Sequence, residues 1–161
     1  MPGPVDLPVD LARGVLTGAR DTMAGVTLPR CFGVLGDPVG HSRSPRMHAA
    51  AFAALGLPHR YLAFHVGPEQ LREAVAGARA LGFGGLNLTV PHKQAGLGCV
   101  DELGAAARRI GAVNTLCFGA RGVVGENTDG LGFAAALAEL GGSGDLGSAV
   151  VLGAGGAALA V

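Results

Sequence analysis

The sequence CFGVLGDPVGHSRSPRMHAAAFAALG, residues 31–56, decides the fold class, because it predicts a strand and a helix joined by a turn. Residues 31–36 form a short apolar run that is typical of a buried strand, and Gly36-Asp37-Pro38 favours a turn that ends it. Ser44 then predicts the cap of a helix, with Pro45 at the first helical position. We expect one apolar stripe of this helix to face the core. The stripe consists of Met47, Ala50, Ala51, Ala54 and Leu55.

The same alternation of strand and helix continues along the chain. Tyr61–Val66 and Gly85–Val90 are predicted as the second and third strands. A helix opened by Gly67-Pro68-Glu69 lies between them, and a helical stretch to about Arg109 follows the third strand. Repeated strand–helix units predict a parallel sheet with right-handed crossovers. The expected buried face of the helix between the strands contains Leu71, Ala74, Val75 and Ala78.

Residues 112–126 depart from this alternation. Ala112–Phe118 and Gly122–Glu126 are apolar runs joined by Gly119-Ala120-Arg121, which predicts a hairpin. One of these two strands must run antiparallel to the others. We therefore expect an α/β fold with a mixed, mostly parallel sheet flanked by helices, completed by a helix from about Gly130 to Leu140.

The sequence predicts four segments. Residues 1–30 carry four prolines and only a weak helical pattern, so we expect a poorly ordered leader. Residues 31–140 form the folded domain described above, and residues 141–147, which begin GGSG, have the composition of a linker. In residues 148–161, Ala149–Leu152 is a predicted strand that leads into a glycine-rich turn. This last segment is expected to be the first strand–helix unit of a truncated Rossmann domain.

The glycine-rich turn predicts a phosphate-binding loop. A strand, a G-x-G-G-x-A turn and a helix start are typical of dinucleotide-binding domains, because glycines let the pyrophosphate approach the backbone. In a chain with 29 glycines the turn alone is weak evidence, and the strand and linker before it strengthen it. The residue about 20 positions further on, which separates NAD from NADP, lies beyond Val161. The candidate cofactor-binding residues are Gly153, Ala154, Gly155, Gly156 and Ala157.

Composition and charge exclude several classes of protein. The 161 residues include 12 basic and 12 acidic side chains, and this balance offers no attraction for nucleic acid or an anionic membrane. With 49% hydrophobic and 15% charged residues, the chain is not disordered throughout. Three widely spaced cysteines favour a reducing compartment, and neither a signal peptide nor a membrane span is recognisable. We therefore expect a soluble cytoplasmic protein without a metal site.

Polar residues follow the third predicted strand. Asn87 and Thr89 alternate with leucines, so their side chains point to one face at the carboxyl end of the strand. Ligands of open α/β sheets bind at such ends. Lys93, the only lysine in the sequence, follows Pro91 at the start of the next helix. The alternative is a strand-end turn with one solvated lysine.

Three further segments place polar groups at the ends of predicted elements. Ser42 and Ser44 flank the exit of the first strand, Asn114 follows Gly111, and Asp129 precedes Gly130. Each has a simpler interpretation, since serine, asparagine and aspartate commonly cap helices and form turns. The five histidines show no shared spacing typical of metal ligands.

Five motifs together carry a resemblance to one family. GDPVGHSRSPRMH, GLNLTVPHK, IGAVNT, GENTDG and VLGAGGAA occur in that order between residues 31 and 161. In sequence and order they resemble the shikimate dehydrogenase family. The departures are Leu88, His92 and Glu126, which stand where the family more often has valine, phenylalanine and aspartate. None of the three replaces a polar residue expected to contact substrate.

The resemblance implies an enzyme that reversibly reduces 3-dehydroshikimate to shikimate with NADPH, in the pathway to chorismate and the aromatic amino acids. By the same resemblance, Lys93 and Asp129 are the catalytic pair. The resemblance also implies that Ser42 and Ser44 bind the substrate carboxylate. It further implies that Asn87, Thr89 and Asn114 bind the ring and its hydroxyls. The implied partners are small molecules, with no nucleic acid and no membrane, in a monomer or a homodimer.

Two alternatives remain open at this stage. A quinate or aminoshikimate dehydrogenase of the same family is one, although in quinate enzymes threonine often replaces the serine at position 44. A non-catalytic, ligand-binding homologue is the other, and the presence of both Lys93 and Asp129 argues against it. Because Val161 falls in the first turns of the helix after the glycine loop, we expect residues 1–161 alone to be inactive as a dehydrogenase.

Overall fold

A mixed sheet organises the structure, a computed structural model that describes residues 22–23, 26–120, 122–141 and 148–161, the side chains from residue 28 onward. Most of the predicted leader, Arg121 of the hairpin turn and the predicted linker after Gly141 lie outside the described residues. The described strands are Thr22–Met23 (β1), Val26–Thr27 (β2), Cys31–Gly36 (β3), Arg60–His65 (β4), Gly85–Leu88 (β5), Glu102–Leu103 (β6), Thr115–Gly119 (β7) and Gly122–Glu126 (β8). The described α-helices are Ser44–Ala54 (α1), Leu71–Ala80 (α2), His92–Ala95 (α3), Ala105–Ile110 (α4) and Asp129–Glu139 (α5).

The sheet has the strand order β4-β3-β5-β7-β8-β6. β3 pairs in parallel with both β4 and β5, whereas β7 runs antiparallel to β5 and β8. This confirms the predicted mixed sheet and the hairpin. The two-residue strand β6, which pairs in parallel with β8, was not predicted, because so short a strand shows no periodicity. β1 and β2 pair with each other apart from this sheet.

Side chains of β3 alternate between two buried clusters. Phe32 and Val34 pack with Phe52 of α1, while Leu35 packs with Leu71 and Val75 of α2. Because successive side chains of a strand point to opposite faces, helices cover the sheet on both sides. The predicted buried face of α2 is confirmed.

The predicted buried stripe of α1 is wrong. Met47 and Leu55 are exposed, and so are the three alanines assigned to the same stripe. The helix instead buries Phe52 and half-buries His48. The ring of Phe52 packs against Phe32 of β3, and this contact with the sheet decides which face turns inward. Ser44 is the first helical residue rather than the cap, and no side chain caps the helix.

The predicted strand Ala149–Leu152 is also wrong for the described structure. These residues form no strand, Val150 and Leu152 are almost fully exposed, and only a short 3₁₀ helix, Ala158–Ala160, follows. A strand needs ladder partners for its backbone N–H and C=O groups, and no described strand pairs with this segment. The assignment of residues 148–161 to a Rossmann domain stays a prediction. In the described part of the chain, no helix is long and apolar enough to cross a membrane.

Candidate active site

The carboxyl ends of β3 and β5 meet at one edge of the sheet. Backbone hydrogen bonds hold the segments that leave them together, from Thr89 N to Leu35 O and from Asp37 N to Val90 O, each 3.0 Å long. The methyl group of Thr89 packs against Gly36, where a side chain would have no room. Glycine at the end of β3 therefore brings the predicted ring-binding threonine next to the loop that carries Ser42.

The short helix α3 turns two adjacent side chains in opposite directions. His92 is buried in the core, and its Nε2 lies 2.7 Å from the carbonyl oxygen of Val66, to which it must donate. Lys93 points instead toward Asp129, and its Nζ lies 2.6 Å from Oδ2. The side chains of Lys93 and Asp129 are 14% and 29% exposed, so this ion pair is largely shielded from water.

Asn114 holds the other oxygen of the Asp129 carboxylate. Its Nδ2 donates to Oδ1 of Asp129 at 2.9 Å and to the hydroxyl of Thr128 at 3.0 Å. Its Oδ1 accepts from the backbone N–H of Thr128 at 3.0 Å and from the hydroxyl of Thr115 at 2.9 Å. All four hydrogen-bonding positions of this amide are therefore used. They fix the carboxylate with one oxygen on the asparagine and one on Lys93.

Asn87 joins the same network from β5. It lies directly opposite Thr115 in the antiparallel ladder with β7. Its Nδ2 donates to the hydroxyl of Thr115 at 3.0 Å and to the carbonyl oxygen of Asn114 at 3.1 Å. Its Oδ1 accepts from the hydroxyl of Tyr61 at 2.7 Å. Four of the predicted residues, 87, 93, 114 and 129, thus share one hydrogen-bonded network.

Sequence reasoning missed three members of this network. Thr115 and Thr128 stand beside predicted residues in quoted motifs, but neither was given a role. Tyr61 is the only tyrosine in the sequence, which was the one available signal. Its hydroxyl on β4 reaches across β3 to β5, and no sequence pattern shows that contact.

Ser42 and Ser44 lie at the loop and helix that follow β3, at the same edge of the sheet. Both are half-buried. Their described hydrogen bond is local, since Oγ of Ser42 accepts from the backbone N–H of Ser44 at 3.3 Å. Neither serine belongs to the network around Asp129, which leaves both hydroxyl protons available to a ligand.

The glycine-rich segment passes beside Lys93. A Cβ on Gly156 would lie 2.8 Å from the Cβ of Lys93, so only glycine allows this approach. Gly153 has a φ of 124°, which favours glycine. Apart from its chain neighbours, no described atom lies within 4 Å of a Cβ built on Gly155, so a ligand could reach that backbone. The phosphate-binding role of this segment stays a prediction, because the described residues 148–161 form neither the strand nor the long helix of a dinucleotide-binding unit.

A profile of the shikimate dehydrogenase substrate binding domain matches residues 34–116, slightly more than half of the chain. The chain belongs to the shikimate dehydrogenase family. The match runs from β3 into β7, and it includes Asn87, Lys93 and Asn114. Asp129 and the glycine-rich segment lie beyond it.

Individual members of the shikimate dehydrogenase family resemble the chain closely. The NADP(+) shikimate dehydrogenase of Symbiobacterium thermophilum is 50% identical over 146 residues, which are 91% of this chain and 49% of that protein. The crystal structure of the Aquifex aeolicus shikimate dehydrogenase has a TM-score of 0.79 at 42% identity, covering 83% of this chain and 50% of that one. The Thermus thermophilus shikimate 5-dehydrogenase, solved with NADP(H) and shikimate, has a TM-score of 0.75 at 46% identity, covering 82% and 50%.

The chain spans about half the length of these shikimate dehydrogenases. The matched half contains the mixed sheet and its helices, and this confirms the predicted α/β fold class and the family resemblance. Because the chain covers only this half, the activity, substrate and cofactor named for these relatives are properties of the whole enzymes.

Proposed function

We propose that the protein carrying this chain is a shikimate dehydrogenase, which reversibly reduces 3-dehydroshikimate to shikimate with NADPH. The observation that carries the proposal is the shielded Lys93–Asp129 ion pair, 2.6 Å long, at the carboxyl edge of the sheet. Residues 31–140 would form the shikimate-binding catalytic domain, and residues 148–161 the start of the NADP-binding domain. The three described cysteines are unpaired, which supports the cytoplasm as its location.

Lys93 would serve as the proton donor in the reduction. The reduced nicotinamide, when bound, supplies a hydride. Transfer of this hydride to a carbonyl carbon leaves negative charge on the carbonyl oxygen. An ammonium group stabilises that charge and can give the oxygen a proton. In the reverse direction the neutral amine accepts the proton. Asp129 would orient the amine, because its carboxylate is itself held by Asn114.

The remaining residues would bind the two ligands. Ser42 and Ser44 would donate their hydroxyl protons to the substrate carboxylate, since neither proton has a described acceptor. Thr89, Asn87 and Asn114 would surround the ring. The loop from Gly153 to Ala157 would hold the pyrophosphate of NADP, and Gly156 places that loop against Lys93.

The test of the proposed function uses the whole protein that carries this chain. Initial rates are measured with shikimate, quinate and aminoshikimate, each with NADP and with NAD. We expect the highest kcat/KM with shikimate and NADP. A clear preference for quinate or aminoshikimate would identify a different substrate within the same family. The absence of turnover with all three acids would contradict the proposal.

Replacing either serine with alanine is expected to weaken shikimate binding. A hydrogen bond to a charged group contributes about 1.5–3 kcal/mol, which corresponds to roughly 10- to 150-fold in affinity. Isothermal titration calorimetry on the whole protein measures the change for Ser42→Ala and Ser44→Ala, with exposed Ser148→Ala as the matched control. Because Ser44 caps no helix, its variant should keep the thermal stability of the unmodified chain. Normal shikimate affinity in both variants would place the carboxylate site elsewhere.

A further inference from the structure

The ring of Tyr61 lies in the core, and its hydroxyl contacts a residue of the candidate active site. The residue is 7% exposed, and its hydroxyl oxygen lies 2.7 Å from Oδ1 of Asn87. Burial raises the pKa of the phenol far above its ordinary value, so the group keeps its proton. An amide oxygen has no hydrogen to offer. Tyr61 must therefore donate this hydrogen bond, and Asn87 must accept it.

His48 supports the ring of Tyr61. Its imidazole stacks on the phenol with centroids 4.1 Å apart and planes 11° apart. Burial lowers the pKa of His48, which favours the neutral ring. His48 stands one helical turn after Ser44 on α1. The stack therefore connects the helix of the proposed carboxylate site to the residue that contacts Asn87.

The side-chain amide of Asn87 cannot flip, that is, exchange the positions of Oδ1 and Nδ2, without losing hydrogen bonds. One of its N–H groups donates to the carbonyl oxygen of Asn114, which can only accept. The other donates to Thr115, whose single hydroxyl proton already goes to Oδ1 of Asn114. A reversed amide would set its oxygen against two acceptors, so three bonds fix Oδ1 toward Tyr61.

One acceptor position of Asn87 remains for a ligand. Both N–H groups are used, and Tyr61 occupies one of the two acceptor positions of Oδ1. The residue is only half-buried, so it keeps surface that a ligand can contact. A hydroxyl group can donate to it. A carbonyl, an ether or a fluorine would instead face an oxygen lone pair, which is unfavourable.

We propose that Tyr61 and Thr115 are positioning residues that hold Asn87 as a hydrogen-bond acceptor, so that the site selects a ring carrying a hydroxyl at the position facing Asn87. This inference rests on the proposed function, which supplies a polyhydroxylated ring acid as the substrate. It adds a source of specificity that lies outside the residues contacting the substrate.

The first test needs no variant. Calorimetry on the whole protein that carries this chain compares the binding of shikimate and of two analogues, each with one of the two non-reacting hydroxyls replaced by fluorine. One analogue is expected to bind at least about tenfold more weakly than shikimate, because fluorine cannot donate to Oδ1. Equal binding of all three compounds would overturn the inference and leave the proposed function standing. Failure to bind shikimate at all would overturn both.

The second test removes the two positioning hydroxyls. Tyr61→Phe and Thr115→Val keep the shapes of their side chains, and Thr115→Ser restores a hydroxyl as the matched control. In the doubly substituted protein only the bond to the carbonyl oxygen of Asn114 still orients the amide, so the preference for shikimate over the rejected analogue should fall about tenfold. Thr115→Ser should keep the preference. A folded double variant that discriminates as the unmodified protein does would overturn the proposal. If the double variant does not fold, the outcome of the first test decides.

Discussion

Replacing Lys93 with alanine is expected to lower the turnover of shikimate by about 10²–10⁴-fold, the usual contribution of a positioned general acid or base. The affinity for shikimate should stay within about tenfold, because binding depends mainly on groups that contact the carboxylate and the hydroxyls. The side chain of Lys93 is 14% exposed and bonded to Asp129, so a water molecule cannot readily take its place as the proton donor. Steady-state kcat and KM in the whole protein measure both effects.

The matched control for this variant is Arg79→Ala. Arg79 also forms an ion pair with an aspartate, Asp101, but both side chains are about half exposed on another part of the surface. Removing one cation there should leave kcat essentially unchanged. Near-normal turnover in Lys93→Ala would show that another group transfers the proton.

Replacing Asp129 with asparagine is expected to lower turnover about 100-fold, the low end for loss of an acid–base group, while preserving the fold. The carboxylate accepts hydrogen bonds on both oxygens, from Lys93 at 2.6 Å and from Asn114 at 2.9 Å. An amide has one acceptor oxygen, so its NH₂ group must face one of these donors. Lys93 also loses its counter-charge. Both effects displace the amine from the reacting oxygen.

Asp101→Asn provides a matched comparison for Asp129→Asn. The carboxylate of Asp101 also contacts two donors, the backbone N–H of Val123 and the guanidinium of Arg79. Its replacement should reduce thermal stability and leave kcat unchanged. If Asp129→Asn behaves in the same way, with lower stability and full turnover, Asp129 is a structural residue.

Sequence patterns predicted the fold where periodicity and size agree. The buried face of α2 was correct because Leu71 and Val75 are the largest apolar residues of that helix. In α1 the spacing favoured Met47, Leu55 and three alanines, whereas Phe52 is the residue that is buried against the sheet. Helical spacing identifies apolar positions, but which of them is buried depends on the side chains of the sheet that they meet.

The residues of the candidate site were easier to predict than their partners. Asn87, Lys93 and Asp129 stand at element ends in recognisable motifs, and the structure gathers them at one edge of the sheet. The contact from Tyr61 to Asn87 depends on the strand order β4-β3-β5 and on the length of the phenol. Neither is encoded in local spacing, so the bonds that orient the site had to come from the structure.

The ion pair of Lys93 also has a consequence for chemical labelling. Lys93 is the only lysine among these 161 residues, so amine-reactive reagents have one side-chain target in them. An ammonium bonded to Asp129 at 2.6 Å and largely covered reacts slowly, since acylation requires a free, neutral amine. The extent of modification at this single position, read by mass spectrometry, therefore reports directly how often the ion pair opens. A ligand that covers the pair would slow the labelling, and a reagent shaped to enter the site would mark it selectively.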